Sequence, residues 1–124
     1  MERGKISFNH NANGSISVQI ELSSGTVWVT KSEIANLLEV FTPAISANLR
    51  EIFKSKELFE TEVTCYHNGT MFYNLDVVIA LAFRCKSPIC RRFREWLKEQ
   101  AKRPIIESQR QPIIIQIGTN LPTA

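Results

Sequence analysis

The chain has 124 residues, 15 Lys and Arg against 12 Asp and Glu, with 44% hydrophobic and 22% charged residues. That length supports one buried core and excludes two independent ones. Five Gly and five Pro exclude a linker or a fibre, and the apolar content excludes wholesale disorder.

The longest apolar run, Val77 to Phe83, falls far short of a bilayer span. No apolar leader follows Met1-Glu2-Arg3-Gly4, so a cytoplasmic protein with no membrane partner is expected. Three Cys at irregular spacing favour reduced thiols over a disulfide framework. The net charge of +3 is unevenly spread. Residues 1–82 carry 6 basic and 9 acidic side chains, whereas residues 83–124 carry 9 basic and 3 acidic. A basic C-terminal third fits an anionic partner, nucleic acid first, or simply a solvated helix face.

The N-terminal third reads as strands. Lys5 to Phe8 is a short candidate, and Asn9 to Gly14 is a loop that holds His10 as a solvated turn residue. Ile16, Val18, Ile20 and Leu22 alternate with polar residues, the period of a half-buried strand. Ser23-Ser24-Gly25 is a turn, and Thr26 to Val29 is a strand returning from it.

A helical pattern follows. Thr30 and Glu33 form a capping box, and Ile34, Leu37 and Leu38 share one face, predicting a helix from about Lys31 to Glu39. Thr42-Pro43 is a second start signal, with Thr42 as N-cap. Ile45, Leu49, Ile52 and Phe53 carry that helix to about Lys54. Glu62 to His67 and Thr70 to Tyr73 flank Asn68-Gly69, a hairpin signal. Asn74 caps a third helix to about Arg84. Ser87-Pro88 opens a fourth that ends near Lys102, before Pro104. In the tail, Ile113 to Ile117 is strongly strand-forming.

Two short helices with a short break, a strand pair before and a hairpin after, match a winged helix-turn-helix. In that arrangement the second helix buries one face and offers the other to a major groove. By helical phase, Ala44, Ala47, Arg50, Glu51 and Lys54 lie opposite the apolar face, with Ser46 and Asn48 on the flanks. Ser46, Ala47, Asn48, Arg50 and Lys54 are the candidate groove residues, and Thr42 a phosphate contact. Arg91, Arg94, Lys98 and Lys102 fall within about 80° of one another by the 3.6-residue period, a basic stripe suited to phosphates. The hairpin tip is His67-Asn68-Gly69.

The chemistry-bearing motifs are sparse. Cys65, His67, Cys85 and Cys90 make a legal zinc set, but their spacings are not those of a zinc knuckle, so no metal is expected. No nucleophile elbow, P-loop or zincin pattern occurs. Asp76 at a helix start is explained by the dipole. The reading is therefore a non-enzyme with no cofactor and no evident small-molecule substrate.

The chain resembles the virulence protein RhuM family. Tyr73-Asn74-Leu75-Asp76-Val77-Val78-Ile79 is similar to that family's Y-N-L-D-x-I-I. Arg84, Ser87 and Phe93-Arg94-x-Trp96 are similar to its Y-R-V-x-S and F-R-x-W, and Val27-Trp28-Val29-Thr30 to its V-W-L-T. Asn48 to Leu58 resembles its helix ending in I-x-N-I-F and a Glu-Leu pair. Ala82-Phe83 replaces the family's Gly-Tyr, and Leu97 its Ala. The resemblance spans roughly residues 15–100. It implies a mobile-element or pathogenicity-island protein akin to phage antirepressor-type DNA-binding modules, and it implies no reaction.

Residues and resemblance together predict an α+β, winged-helix-like domain over residues 1–103 and a tail over 104–124. The expected function is DNA-binding regulation through the helix at 43–54, with phosphate contacts from Thr42, Arg91, Arg94 and Lys98. A homodimer held at least partly by the strand at 113–117 is expected; the competing fate of that strand is pairing with the N-terminal sheet edge of its own chain. The alternative is a protein-interaction module with no nucleic-acid role, which Glu51, Glu57, Glu60 and Glu62 favour.

Overall fold

Alternation and capping produce the elements in nearly the expected order. The computed structural model describes residues 1–110, backbone only beyond residue 103, so the strand expected at 113–117 lies outside the described residues. The described part is α+β, with five helices and two small antiparallel sheets. The chain divides into two units, Met1–Arg94 and Glu95–Ala124.

Strands β1 (Lys5–His10) and β2 (Ile16–Glu21) form the first sheet, an antiparallel hairpin in which Phe8 faces Val18. The Asn-rich connection is held by its own side chains: Asn13 Oδ1 accepts from the Ser15 hydroxyl and backbone N–H, at 2.7 and 3.0 Å. His10 ends β1 rather than sitting in the loop, and its Nε2 lies 3.3 Å from Glu39 Oε2.

The turn at Ser23-Ser24-Gly25 forms as expected, with Ser24 and Gly25 at φ +52° and +84°. The strand after it does not pair back on β2. One bridge, Ser23 with Thr26, is all that remains. Val27 is fully buried, and β3 (Trp28–Val29) instead joins a second sheet of order β3-β5-β4. The pull of a buried Val and a longer-range partner outweighs the local hairpin, a choice that alternation alone does not encode.

Helix α1 (Lys31–Leu38) carries the capping box, with Glu33 N–H donating to Thr30 Oγ1 at 3.1 Å and Thr30 N–H donating to Glu33 Oε1 at 2.9 Å. Helix α2 (Thr42–Lys54) begins one residue earlier than its start signal implies. Phe41, extended, is the N-cap, and Thr42 is already helical with no capping side chain. Pro43 lacks an N–H, but the first-turn donors have no intrahelical acceptor in any case, so the helix loses nothing there.

Residues Glu60–Val63 form a short helix, α3, where the strand was expected to begin. Glu60 and Glu62 suit a helix N-terminus, and the Thr64 hydroxyl closes the turn on the Glu60 carbonyl at 2.7 Å. The hairpin then runs as β4 (Thr64–His67) and β5 (Thr70–Asn74). Asn74 Oδ1 caps α4 (Leu75–Ala82) by accepting from Val77 N–H, and Thr26 Oγ1 accepts from Leu75 N–H at 3.1 Å.

Helix α5 (Pro88–Arg110) starts at the Ser87 cap. It continues through Pro104, against expectation. Pro104 removes the one backbone bond that would reach the Gln100 carbonyl. The strong helix formers before it, Lys98 to Arg103, carry the helix across.

The core of the first unit gathers Val27, Ile34, Leu38, Ile45, Ile52, Val77, Val78, Leu81, Ile89 and Phe93, all buried. Phe93 packs on Phe8 with ring centroids 4.7 Å apart. Arg3 ties the N-terminus down. Its Nε donates to the Trp28 carbonyl at 3.1 Å, its guanidinium pairs with Glu33, and it lies 4.9 Å above the Phe72 ring. Gly4 is required beside it: φ is +64°, and a Cβ would stand 2.5 Å from the Glu21 carbonyl oxygen.

Among the described residues no helix is long and apolar enough to cross a membrane.

Candidate nucleic-acid interface

Helix α2 is amphipathic, and the structure sorts its residues by face. Ile45, Leu49 and Ile52 are buried where α2 packs on α1 and α4. Thr42, Ala44, Ala47, Arg50, Glu51 and Lys54 are exposed, while Ser46 and Asn48 are half-buried. Small side chains at Ala44, Ser46 and Ala47 leave the helix surface low enough for close approach. Arg50 and Lys54 form no ion pair or side-chain hydrogen bond with a described residue.

Asn48 is less free than its flank position implies. Its Nδ2 donates to the Ala44 carbonyl at 2.9 Å and lies 3.8 Å from Cys85 Sγ. That leaves its Oδ1 for an outside donor. The hairpin tip is well formed for projection: His67, Asn68 and Gly69 are exposed, with Asn68 and Gly69 both left-handed at φ +50° and +79°.

The basic stripe does not act as one group. Arg94 is committed inward. Its Nη1 donates to the carbonyls of Ala82 and Cys85, at 2.8 and 3.1 Å, and so satisfies the C-terminal end of α4. One of its three guanidinium nitrogens is thereby taken up by the fold, on a half-buried residue. Arg91 is exposed at the start of α5. Lys98 and Lys102, also exposed, belong to the second unit. Arg84, a further cation of the basic third, pairs with Glu57 at 2.8 Å, which removes Glu57 from the acidic residues near α2.

Beside α2 lies a polar cleft of about 410 Å³, lined by Lys31, Ser46, Leu49, Arg50, Phe53, Glu60 and Tyr73. Burial, and then the nearby Glu60 carboxylate, push the Tyr73 hydroxyl above its ordinary pKa, so it keeps its proton through the neutral range. Sequence reasoning missed Lys31 and Tyr73. Lys31 opens α1, and Tyr73 sits in the β5 strand. Only the pairing of β5 with β3, just ahead of α1, brings them to α2's flank.

A larger cleft of about 630 Å³ lies between β1, Trp28 and α1; of its three charged groups, Arg3 and Glu33 are paired with each other and Lys5 is not in that pair.

The cysteines offer no metal centre. Cys85 and Cys90 are buried and Cys65 is half-buried on β4. Among the described residues no three His, Cys, Asp or Glu side chains gather as a ligand set. Burial, with Cys90 adding to it, pushes the Cys85 thiol above its ordinary pKa, the opposite of an activated nucleophile.

No protein-family model, curated protein or solved structure matches this chain.

Proposed function

We propose that the chain is a DNA-binding regulatory protein of a prokaryotic mobile element or pathogenicity island, built as a winged helix-turn-helix. The observation that carries the reading is the path β3-α1-α2-α3-β4-β5, in which the short α3 leads into the hairpin, with β5 between β3 and β4 and an exposed α2 face bearing Arg50 and Lys54. In a winged helix the helix pair leads into a hairpin whose tip reaches DNA beside the second helix. Here α2 enters the major groove, with Ser46, Ala47, Asn48, Arg50 and Lys54 toward base edges. Thr42 and Arg91 meet phosphates, and His67-Asn68-Gly69 approaches the backbone or minor groove. The RhuM-like motifs support the same reading, and no catalytic step is assigned.

Pairing as a homodimer accompanies this function, since a single helix-turn-helix makes few contacts and two-fold pairs read spaced half-sites. Light scattering on the full chain, and on one ending at residue 103, tests the pairing. The expected result is a dimer that the truncation weakens, and a monomer in both refutes it.

The main test is a salt series on random duplex DNA. Binding through a few phosphates weakens at least about tenfold between about 50 and 200 mM salt. No binding at low salt refutes the function.

The second reading, a protein-interaction module, draws on one observation. Phe41, at the turn between α1 and α2, is 86% exposed, and Phe59, Tyr66 and Phe83 are exposed as well. Under this reading duplex binding is absent and Phe41 sits inside the protein contact.

A further inference from the structure

The cleft beside α2 is lined by Tyr73, a buried residue whose hydroxyl has no hydrogen-bond partner among the described residues. Tyr73 is 9% exposed, and its hydroxyl makes no hydrogen bond with any described residue. Buried polar groups in folded proteins nearly always have a partner, so this hydroxyl is open to one beyond the described residues. Glu60 lines the same cleft.

The surroundings select the chemistry of that partner. Lys31 and Arg50 line the same cleft and form no ion pair with a described residue. Ser46 adds a second hydroxyl, and Lys31 stands at the N-terminal, positive end of α1. One carboxylate, Glu60, opposes two cations. Leu49 and Phe53 supply an apolar wall that strengthens any charge-assisted bond made there.

We propose that this cleft is an oxyanion site for a phosphate group, with the Tyr73 and Ser46 hydroxyls donating to it and Lys31 and Arg50 supplying the charge. The inference rests on the DNA-binding reading, in which the occupant is a backbone phosphate of the duplex. A free phosphate offers the same chemistry, and the experiment separates the two sources. Tyr73 is the positioning donor. Lys31 and Arg50 provide most of the attraction, and Glu60 sets an upper limit on it.

The experiment compares the wild-type chain with Tyr73→Phe, Lys31→Met and Glu60→Gln. Two readouts are used: affinity for random duplex across a salt series, and NMR shifts on titration with inorganic phosphate against chloride at matched ionic strength. Tyr73→Phe is expected to fold as well as wild type, because the hydroxyl bonds nothing among the described residues. Its duplex affinity falls about tenfold, the scale of one lost charge-assisted hydrogen bond. Lys31→Met reduces the salt slope by about one. Glu60→Gln tightens binding. Phosphate is expected to shift the signals of Lys31, Ser46 and Arg50 in wild type, and to need about tenfold more phosphate to do so in Tyr73→Phe.

If wild type binds duplex and both Tyr73→Phe and Lys31→Met bind as tightly, the site is refuted while the DNA reading stands. If wild type ignores duplex but phosphate still shifts those signals, the site stands with free phosphate as its source and the DNA reading falls. If neither readout responds, both are refuted. A clear loss of thermal stability in Tyr73→Phe would also count against the site, because it would show the hydroxyl serving the fold.

Discussion

Two cationic regions of this chain look alike in sequence and differ in structure. At the corner between α4 and α5, Arg84 pairs with Glu57 and Arg94 bonds the Ala82 and Cys85 carbonyls. On the outer face of α2, Arg50 and Lys54 bond nothing within the described chain. The first region uses its guanidinium groups to close a helix end and hold a loop. The second leaves its charges to solvent or to a partner. A basic third of a sequence is therefore a poor guide to a nucleic-acid surface until each cation's own bonds are known. The α2 face, less basic overall, is the better candidate.

Substitutions at the corner should act on stability, and the largest effect is expected in its core. Phe93→Ala, which empties a fully buried site against Phe8, should cost about 3–5 kcal/mol by denaturant unfolding. A loss below about 1 kcal/mol would mean the corner collapses freely around the gap.

Arg94→Ala should cost about 1.5–3 kcal/mol, the range for hydrogen bonds made by a charged group. Binding to random duplex, measured where the variant remains folded, should keep its salt slope. A slope reduced by about one would place Arg94 on DNA and erase the contrast between the two regions.

The corner should also respond to alkali. Burial raises the Cys85 thiol above its ordinary value of 9.0, so the folded chain holds that proton more tightly than the unfolded one. The stabilisation is complete below pH 9 and is lost as pH rises through the folded-state value. Chemical unfolding between pH 8 and pH 11 should show stability falling across that window, and Cys85→Ala should flatten part of the slope. Stability that rises with pH there would contradict the assignment.

The smallest stability effect is expected on α2. Arg50→Ala should change unfolding by less than about 0.5 kcal/mol, as exposed, unbonded positions do. It should nonetheless weaken duplex binding and lower the salt slope by about one.

Much of the fold could be read from local signals. The Thr30–Glu33 capping box, the Asn74 cap, the Asn68-Gly69 hairpin and the apolar face of α2 all depend on residues within a few positions of one another. Expectations failed where a distant partner decided the outcome. Thr26 to Val29 left its local hairpin because β5, more than forty positions on, offered a ladder and a buried slot for Val27. The stripe of Arg91, Arg94 and Lys98 is correct as helical phase, but phase cannot show that Arg94 turns to the end of α4. Pro104 signals a stop because it removes a backbone bond and crowds the carbonyl four residues back, yet the helix formers before it carry α5 past it. For the candidate site, the α2 positions were legible because amphipathic phase marks an outward face. Lys31 and Tyr73 were not, since their approach to Ser46 and Arg50 exists only once the second sheet is assembled.

The central claim is that the outer face of α2 is where this protein meets DNA, and NMR mapping of the isotope-labelled chain against a random duplex at low salt tests it most directly. The predicted result is a contiguous set of shifted signals at Thr42, Ala44, Ala47, Arg50 and Lys54, joined by the hairpin tip at His67 to Gly69, that fades as salt is raised. Shifts confined to other surfaces, or a spectrum that the duplex leaves unchanged, would contradict it.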